Sequence, residues 1–227
     1  MKKYLLITLA FSIVMAFACK QDESSSGTTE SKIVSKCAKY SVNVYKDKER
    51  TAWMANLSKT EIVDQLSTEI ISNNKGAVAE VAHIRLSDGA EGYLETKHLA
   101  DKTIVFTQDT KAYQRNNTGS KINATIPIGT LGFVIEEKSE WLQVFIGQID
   151  GQWLTQTWVN EGYSTETASI NDARLYDEAL TVLRNKESKE ADKVKAIKKL
   201  KDLQNSVLLS EKVEAYLQSL SEDDTQE

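Results

Sequence analysis

Two cysteines and two histidines are the residues of this chain best suited to nucleophilic or metal chemistry. Cys37 would be the nucleophile, with His83 or His98 as its base if either lies within hydrogen-bond reach. The local sequence argues against that. Cys37 sits in SKCAKYS with no helix predicted after it, whereas an activated nucleophile is usually exposed on a strand-to-helix elbow. Cys37 reads better as a small residue at a domain edge; a thiol open to an intermolecular disulfide is the alternative. His83 lies two residues before Arg85 on a predicted strand, and His98 lies in a turn beside Lys97. Neither has a second ligand at metal spacing. The chain contains no phosphate-cradling glycine loop, no G-x-S-x-G and no Walker pattern. Paired carboxylates such as Glu136-Glu137 read as surface charge. The expectation is a non-enzymatic protein without metal or cofactor.

Aromatic side chains are the stronger signal. Trp141, Trp153 and Trp158 fall within eighteen residues. Strand alternation puts Trp141 and Val144 on opposite faces, so they are not all expected in one core. Flat rings at a groove rim give large contact at low entropy cost, which suits ligand binding. The competing reading gives all of them to the core or to the seam with the C-terminal helices.

The N-terminus must place this surface. It reads MKKYLLITLAFSIVMAFAC, with Lys2 and Lys3 ahead of an apolar run from Leu5 to Ala18. That run has signal-peptide length and is too short for a bilayer of about 30 Å. Small residues Ala16 and Ala18 precede Cys19. The segment resembles a bacterial lipoprotein precursor, with Ala16 where the commonest motif has Leu. The resemblance implies cleavage before Cys19 and covalent acylation there, the only non-protein group expected. A plain secretory signal is the alternative. Cleavage removes Lys2 and Lys3, leaving 26 basic against 33 acidic residues, a net charge of −7. Acyl chains contribute about 0.8 kcal/mol per buried methylene, so anchoring would be stable. Lys20 stands where an inner-membrane retention Asp occurs in some bacteria, which leans towards the outer membrane, on its periplasmic or surface face.

Residues 20–32, KQDESSSGTTESK, have no apolar side chain and read as a flexible spacer; the lipidated Cys and tether are assigned to 19–36. From about 37 to 163 the chain repeats itself. Tyr45 matches Tyr113, Leu57, Thr60 and Ile62 match Ile126, Gly129 and Leu131, Val78 and Val81 match Trp141 and Val144, and Tyr93-Leu94 matches Trp158-Val159. Each half reads as short strands. Asp88-Gly89 and Asp150-Gly151 are predicted as type I′ hairpin turns with positive φ at both residues.

These halves resemble bacterial SH3 domains. The second carries the pattern in Ile126-Pro127-Ile128-Gly129-Thr130-Leu131, Trp141-Leu142-Gln143-Val144, Thr157-Trp158-Val159 and Gly162-Tyr163. The first departs from it, with Val78 for the aromatic and Thr60 for the turn glycine. The resemblance implies two small β-barrels in tandem, 37–100 and 101–164. It also implies a groove for peptides or cell-wall peptide stems, with Tyr45, Tyr93, Tyr113, Trp141, Trp153, Trp158 and Tyr163 as its rim.

All ten glycines and the single proline lie at or before Gly162, so 165–227 reads as helical. Asn171 and Ser210 are predicted N-caps. Leu175, Ala179, Val182 and Leu183 make one apolar stripe, Val194, Ile197 and Leu200 or Leu203 a second, and Val213, Tyr216, Leu217 and Leu220 a third. Breaks are predicted at 185–189 and 205–206, and SEDDTQE as an acidic tail. The expected fold is mainly β with α: two SH3-like barrels, then helices. With 28 basic and 33 acidic residues, the chain has no excess positive charge for nucleic acid. The expected partners are the membrane, through the lipid, and peptidoglycan or an envelope or host protein. An adhesin-type surface lipoprotein and a structural subunit of an envelope assembly are the rival roles.

Overall fold

The computed structural model describes residues 33–72, 78–149 and 151–223. The expected signal segment 1–18, Cys19, residues 20–32 of the tether, Asp150 and the last four residues of the acidic tail lie outside the described residues.

Seven strands form the first antiparallel sheet: β1 (Val34–Ala38), β2 (Val42–Tyr45), β3 (Trp53–Leu57), β4 (Ile62–Ser72), β5 (Val78–Arg85), β6 (Glu91–Glu95) and β7 (Leu99–Ala100). Their order is β3-β2-β6-β5-β4-β1-β7. A second sheet is built from β8 (Lys102–Phe106), β9 (Thr110–Tyr113), β10 (Ile122–Ile126), β11 (Leu131–Lys138), β12 (Trp141–Phe145), β15 (Thr157–Val159) and β16 (Tyr163–Ser164). Its order, β10-β9-β15-β12-β11-β8-β16, is the same path through the corresponding strands. The one addition is a hairpin of β13 (Gly147–Ile149) and β14 (Gln152–Leu154) between β12 and β15. The first strand begins at Val34, inside the expected tether, because Val34 to Cys37 already pair with β4.

The pairing fixes the repeat more finely than residue type did. Tyr45 faces Tyr93 across β2 and β6, and Tyr113 faces Trp158 across β9 and β15. His83 pairs with Tyr93, and Gln143 with Trp158. Both central hairpins carry a bulge at the same place, between Gln65 and Ser67 and between Val134 and Glu136. Trp141 therefore corresponds to Val81, not to Val78 as the sequence pattern had it. Burial agrees: Val81 is 1% exposed and Trp141 6%, whereas Val78 is 66% exposed on the longer β4–β5 arm. The longer β4–β5 arm displaces the match by three residues, from Val81 to Val78.

The Asp88-Gly89 turn also differs from expectation. Only Gly89 has positive φ, at 86°. Gly89 N–H donates to Leu86 O and Leu86 N–H to Ala90 O, at 3.0 and 2.8 Å. This is a three-residue loop closed by a left-handed glycine, not a two-residue type I′ turn. The Asp88 carboxylate accepts from Ala90 N–H at 3.0 Å, which favours the longer loop.

Three helices follow: α1 (Thr167–Arg184), α2 (Glu190–Asp202) and α3 (Ser210–Asp223). The breaks fall where predicted. Asn171 is not a cap, because α1 starts four residues earlier, where Ile170 can pack on the core. Its buried stripe is Ala173, Tyr176, Ala179 and Leu180, with Leu175, Val182 and Leu183 partly buried beside it. In α2 the inward side chains are Ala196 and Leu200; Val194 points to solvent at 59% exposure. The apolar core here joins all parts. Cys37 and Ala100 of the first sheet meet Val105, Leu131 and Phe133 of the second and Leu200, Leu209 and Val213 of the helical region.

Candidate functional site

The predicted rim aromatics do not form one groove. Six of the seven belong to the sheets. Tyr45 and Tyr93 are cross-strand neighbours, and Tyr93 stacks on His83 at 4.7 Å between ring centroids. In the second sheet Tyr113 meets Trp141 edge-on at 5.4 Å and pairs with Trp158. Trp141 lies on the face opposite Leu142 and Val144, as alternation required, yet is covered there. Trp158 is 9% exposed. Tyr163 is half-buried against the second sheet's own core.

Trp153 is the exception, at 64% exposure on β14. Its hairpin is held by what flanks it. Ile146 and Leu154 are buried, and Ile146 N–H donates to Leu154 O at 2.9 Å. Alternation along β14 then sends Trp153 outward while Leu154 points in. Gly147 and Gly151 supply the positive φ values, 103° and 80°, that turn the chain at base and tip.

This hairpin overhangs a cleft of about 850 Å³. Three parts of the chain build it. The first sheet contributes Lys39, Tyr40 and Lys59; the second half contributes the turn at Pro127 and Gly129 to Leu131, with Phe145 to Ile149, Trp153 and Thr155; the helices contribute Tyr176, Asp177, Arg184 and Lys212. Its volume is in the range of small-ligand sites. The Gly129 turn is pinned beneath it, since a Cβ on Gly129 would stand 2.3 Å from Leu209 Cδ2.

The cleft is basic and aromatic. Lys39 Nζ lies 5.1 Å from the Phe145 ring centroid, and Tyr40 leans on the same ring at 6.2 Å. Lys212 Nζ donates to Ile128 O at 2.7 Å and lies 5.8 Å from the Tyr176 ring. Burial lowers the affinity of both ammonium groups for their protons. For Lys212, Asp109 opposes this and the Arg184 charge adds to it. Lys59 alone has a carboxylate in the cleft, Asp177 at 2.7 Å, an ion pair that ties the first sheet's turn to α1. Sequence reasoning missed every one of these residues except Trp153, because no local motif links Lys39, Phe145 and Arg184.

The residues weighed for nucleophilic chemistry have other partners. Cys37 is 3% exposed, its Sγ 3.7 Å from Ala100 O, and burial pushes its thiol pKa up. A raised pKa disfavours the thiolate. His98 Nδ1 is hydrogen-bonded to the Tyr40 hydroxyl, and its pKa is depressed to about 4 by burial and then by Lys97, Lys39 and Arg50. His83 Nε2 lies 3.2 Å from Glu91. Among the described residues no group of three His, Cys, Asp or Glu side chains has the placement to hold a metal ion. Among them, too, no helix is long and apolar enough to cross a membrane.

The family model described as Lipoprotein LenA matches residues 5–227. No curated protein matches the chain. Among solved structures, the chain is similar to NlpC2 from Trichomonas vaginalis at 11% identity and a TM-score of 0.25, covering 67% of this chain and 57% of that one. NlpC1 from the same organism is similar at 12% identity and a TM-score of 0.24, covering 69% of this chain and 56% of that one. The chain thus spans under two thirds of the length of either structure.

Proposed function

Because the chain belongs to the Lipoprotein LenA family, a family of bacterial lipoproteins, we propose that it is a lipid-anchored envelope protein that works by binding rather than by catalysis. Its family is consistent with a place in the cell envelope. In this reading Cys19 carries the lipid, the outer membrane is the membrane, and residues 34–164 are two SH3-like units. The bound partner is peptidoglycan or an envelope protein.

The observation that carries the reading is the composite cleft. It brings four aromatic rings, Tyr40, Phe145, Trp153 and Tyr176, to one concave surface with basic side chains between them. An exposed tryptophan on an added hairpin fits ligand contact better than stability, since it has no core to serve. The commitments of Cys37, His83 and His98 to structural partners support a non-catalytic role.

Two experiments test this. Metabolic labelling with palmitate is expected to tag the wild-type protein and not Cys19→Ala; equal labelling of both removes the anchor. The mature chain from residue 19, with Cys19→Ala, is expected to be retained on purified sacculi, and Trp153→Ala to lose most of that retention. Retention unchanged by Trp153→Ala rules out the cleft as the binding surface.

A further inference from the structure

The cleft's charges do not balance. Lys39, Lys59, Arg184 and Lys212 line it, against Asp177 as its one acid. Asp177 is committed to Lys59. Among the described residues no carboxylate forms an ion pair with Lys39, Arg184 or Lys212. This excess of three cations stands in a chain whose net charge is −5. Two of the three are half-buried over aromatic rings rather than extended into water. Asp109 offsets the charge of Lys212 in part without pairing with it, and no carboxylate among the described residues acts on Lys39. Holding such partly desolvated ammonium groups is costly, and a bound anion lessens that cost.

The apolar part of the lining says what carries the anion. Tyr40 and Phe145 stand beside Lys39, and Trp153 overhangs from the hairpin. Gly147 leaves the hairpin base open, with nothing within 4 Å of where a Cβ would be, so a main chain can approach there. Aromatic rings interleaved with cationic side chains, beside an accessible backbone, suit a peptide that carries both carboxylate and apolar side chains.

Resting on the binding role proposed above, we propose that this cleft takes a short acidic peptide segment. Its carboxylates meet Lys39 and the pair Arg184 and Lys212, and an apolar side chain lies against Tyr40, Phe145 and Trp153. Charge-assisted hydrogen bonds supply the orientation, and the rings supply contact.

The test is calorimetric titration of the mature Cys19→Ala chain with the acetylated, amidated tripeptide Asp-Phe-Glu. Its neutral analogue Asn-Phe-Gln and dextran sulfate serve as the other arms. The acidic peptide is expected to bind and the neutral analogue to bind at least tenfold more weakly, with affinity falling as salt rises. Arg184→Gln and Lys39→Gln are each expected to weaken binding about tenfold, the scale of one charged hydrogen bond. Lys198→Gln, on the exposed side of α2, is expected to leave it unchanged. Matching melting curves establish that the variants fold. Equal binding of the neutral analogue, indifference to both cleft substitutions, binding of dextran sulfate alone, or no binding of any probe each overturns the proposal. If the peptide fails while sacculus retention still depends on Trp153, only the acidic-peptide assignment falls. If Trp153→Ala affects neither, the cleft reading falls with it.

Discussion

Thr60 and Gly129 occupy the same turn of the two sheets, and both have positive φ, 70° and 77°. Each N–H donates to the end of the first strand of its own sheet, Thr60 to Ala38 O at 2.8 Å and Gly129 to Phe106 O at 2.7 Å. The backbone is duplicated, but its tolerance is not. The first turn holds a β-branched residue in the left-handed region. The second lies under Leu209 of the segment before α3 and leaves no room for a Cβ.

Thr60→Gly is therefore expected to stabilise the protein by about 0.5–1 kcal/mol, the left-handed strain relieved less the entropy glycine adds to the unfolded chain. Gly129→Ala is expected to destabilise by more than about 2 kcal/mol, since buried Leu209 must shift as well. Denaturant unfolding of the two variants checks both signs.

His98 makes stability depend on pH. In the unfolded chain it titrates near its ordinary 6.5, and in the folded protein near 4. Between those values the unfolded state binds a proton that the folded state refuses, so this residue's contribution falls as pH drops through the interval. The wild type is expected to lose stability from pH 6.5 to 4, and His98→Gln to lose less over the same range. Unfolding midpoints measured at several pH values read the difference; identical slopes would contradict it.

Trp141 and Trp153 are both aromatic strand residues, yet opposite outcomes are expected. Trp141→Ala removes a buried ring packed on Tyr113 and is expected to cost about 3–4 kcal/mol. Trp153→Ala is expected to change stability by under about 0.5 kcal/mol. Thermal melts of the two variants separate a packing tryptophan from a contact tryptophan.

Much of this was legible in the sequence. The order of apolar and turn residues announced two similar halves, the absence of Gly and Pro after Gly162 announced the helices, and the polar segments at 185–189 and 205–206 announced their breaks. Register was harder. Val78 and Val81 are the same residue type three apart, and only the register past the shared bulge, Val81 opposite Glu69 and Trp141 opposite Lys138, shows which one corresponds to Trp141. Alternation placed Trp141 correctly on the face away from Val144 but could not show that Tyr113 covers it. The cleft was the least legible feature. Lys39, Phe145 and Arg184 come from three separate parts of the chain, and their meeting follows from how the shared core of Cys37, Phe133 and Leu200 packs.

Hydrogen–deuterium exchange of the mature Cys19→Ala chain, with and without soluble peptidoglycan fragments, tests the binding site most directly. The account predicts protection in Phe145–Thr155 and around Lys39-Tyr40, with smaller changes at Tyr176 to Arg184. Protection confined to the Tyr45, Tyr93 and His83 face, with the Trp153 hairpin unchanged, would contradict it.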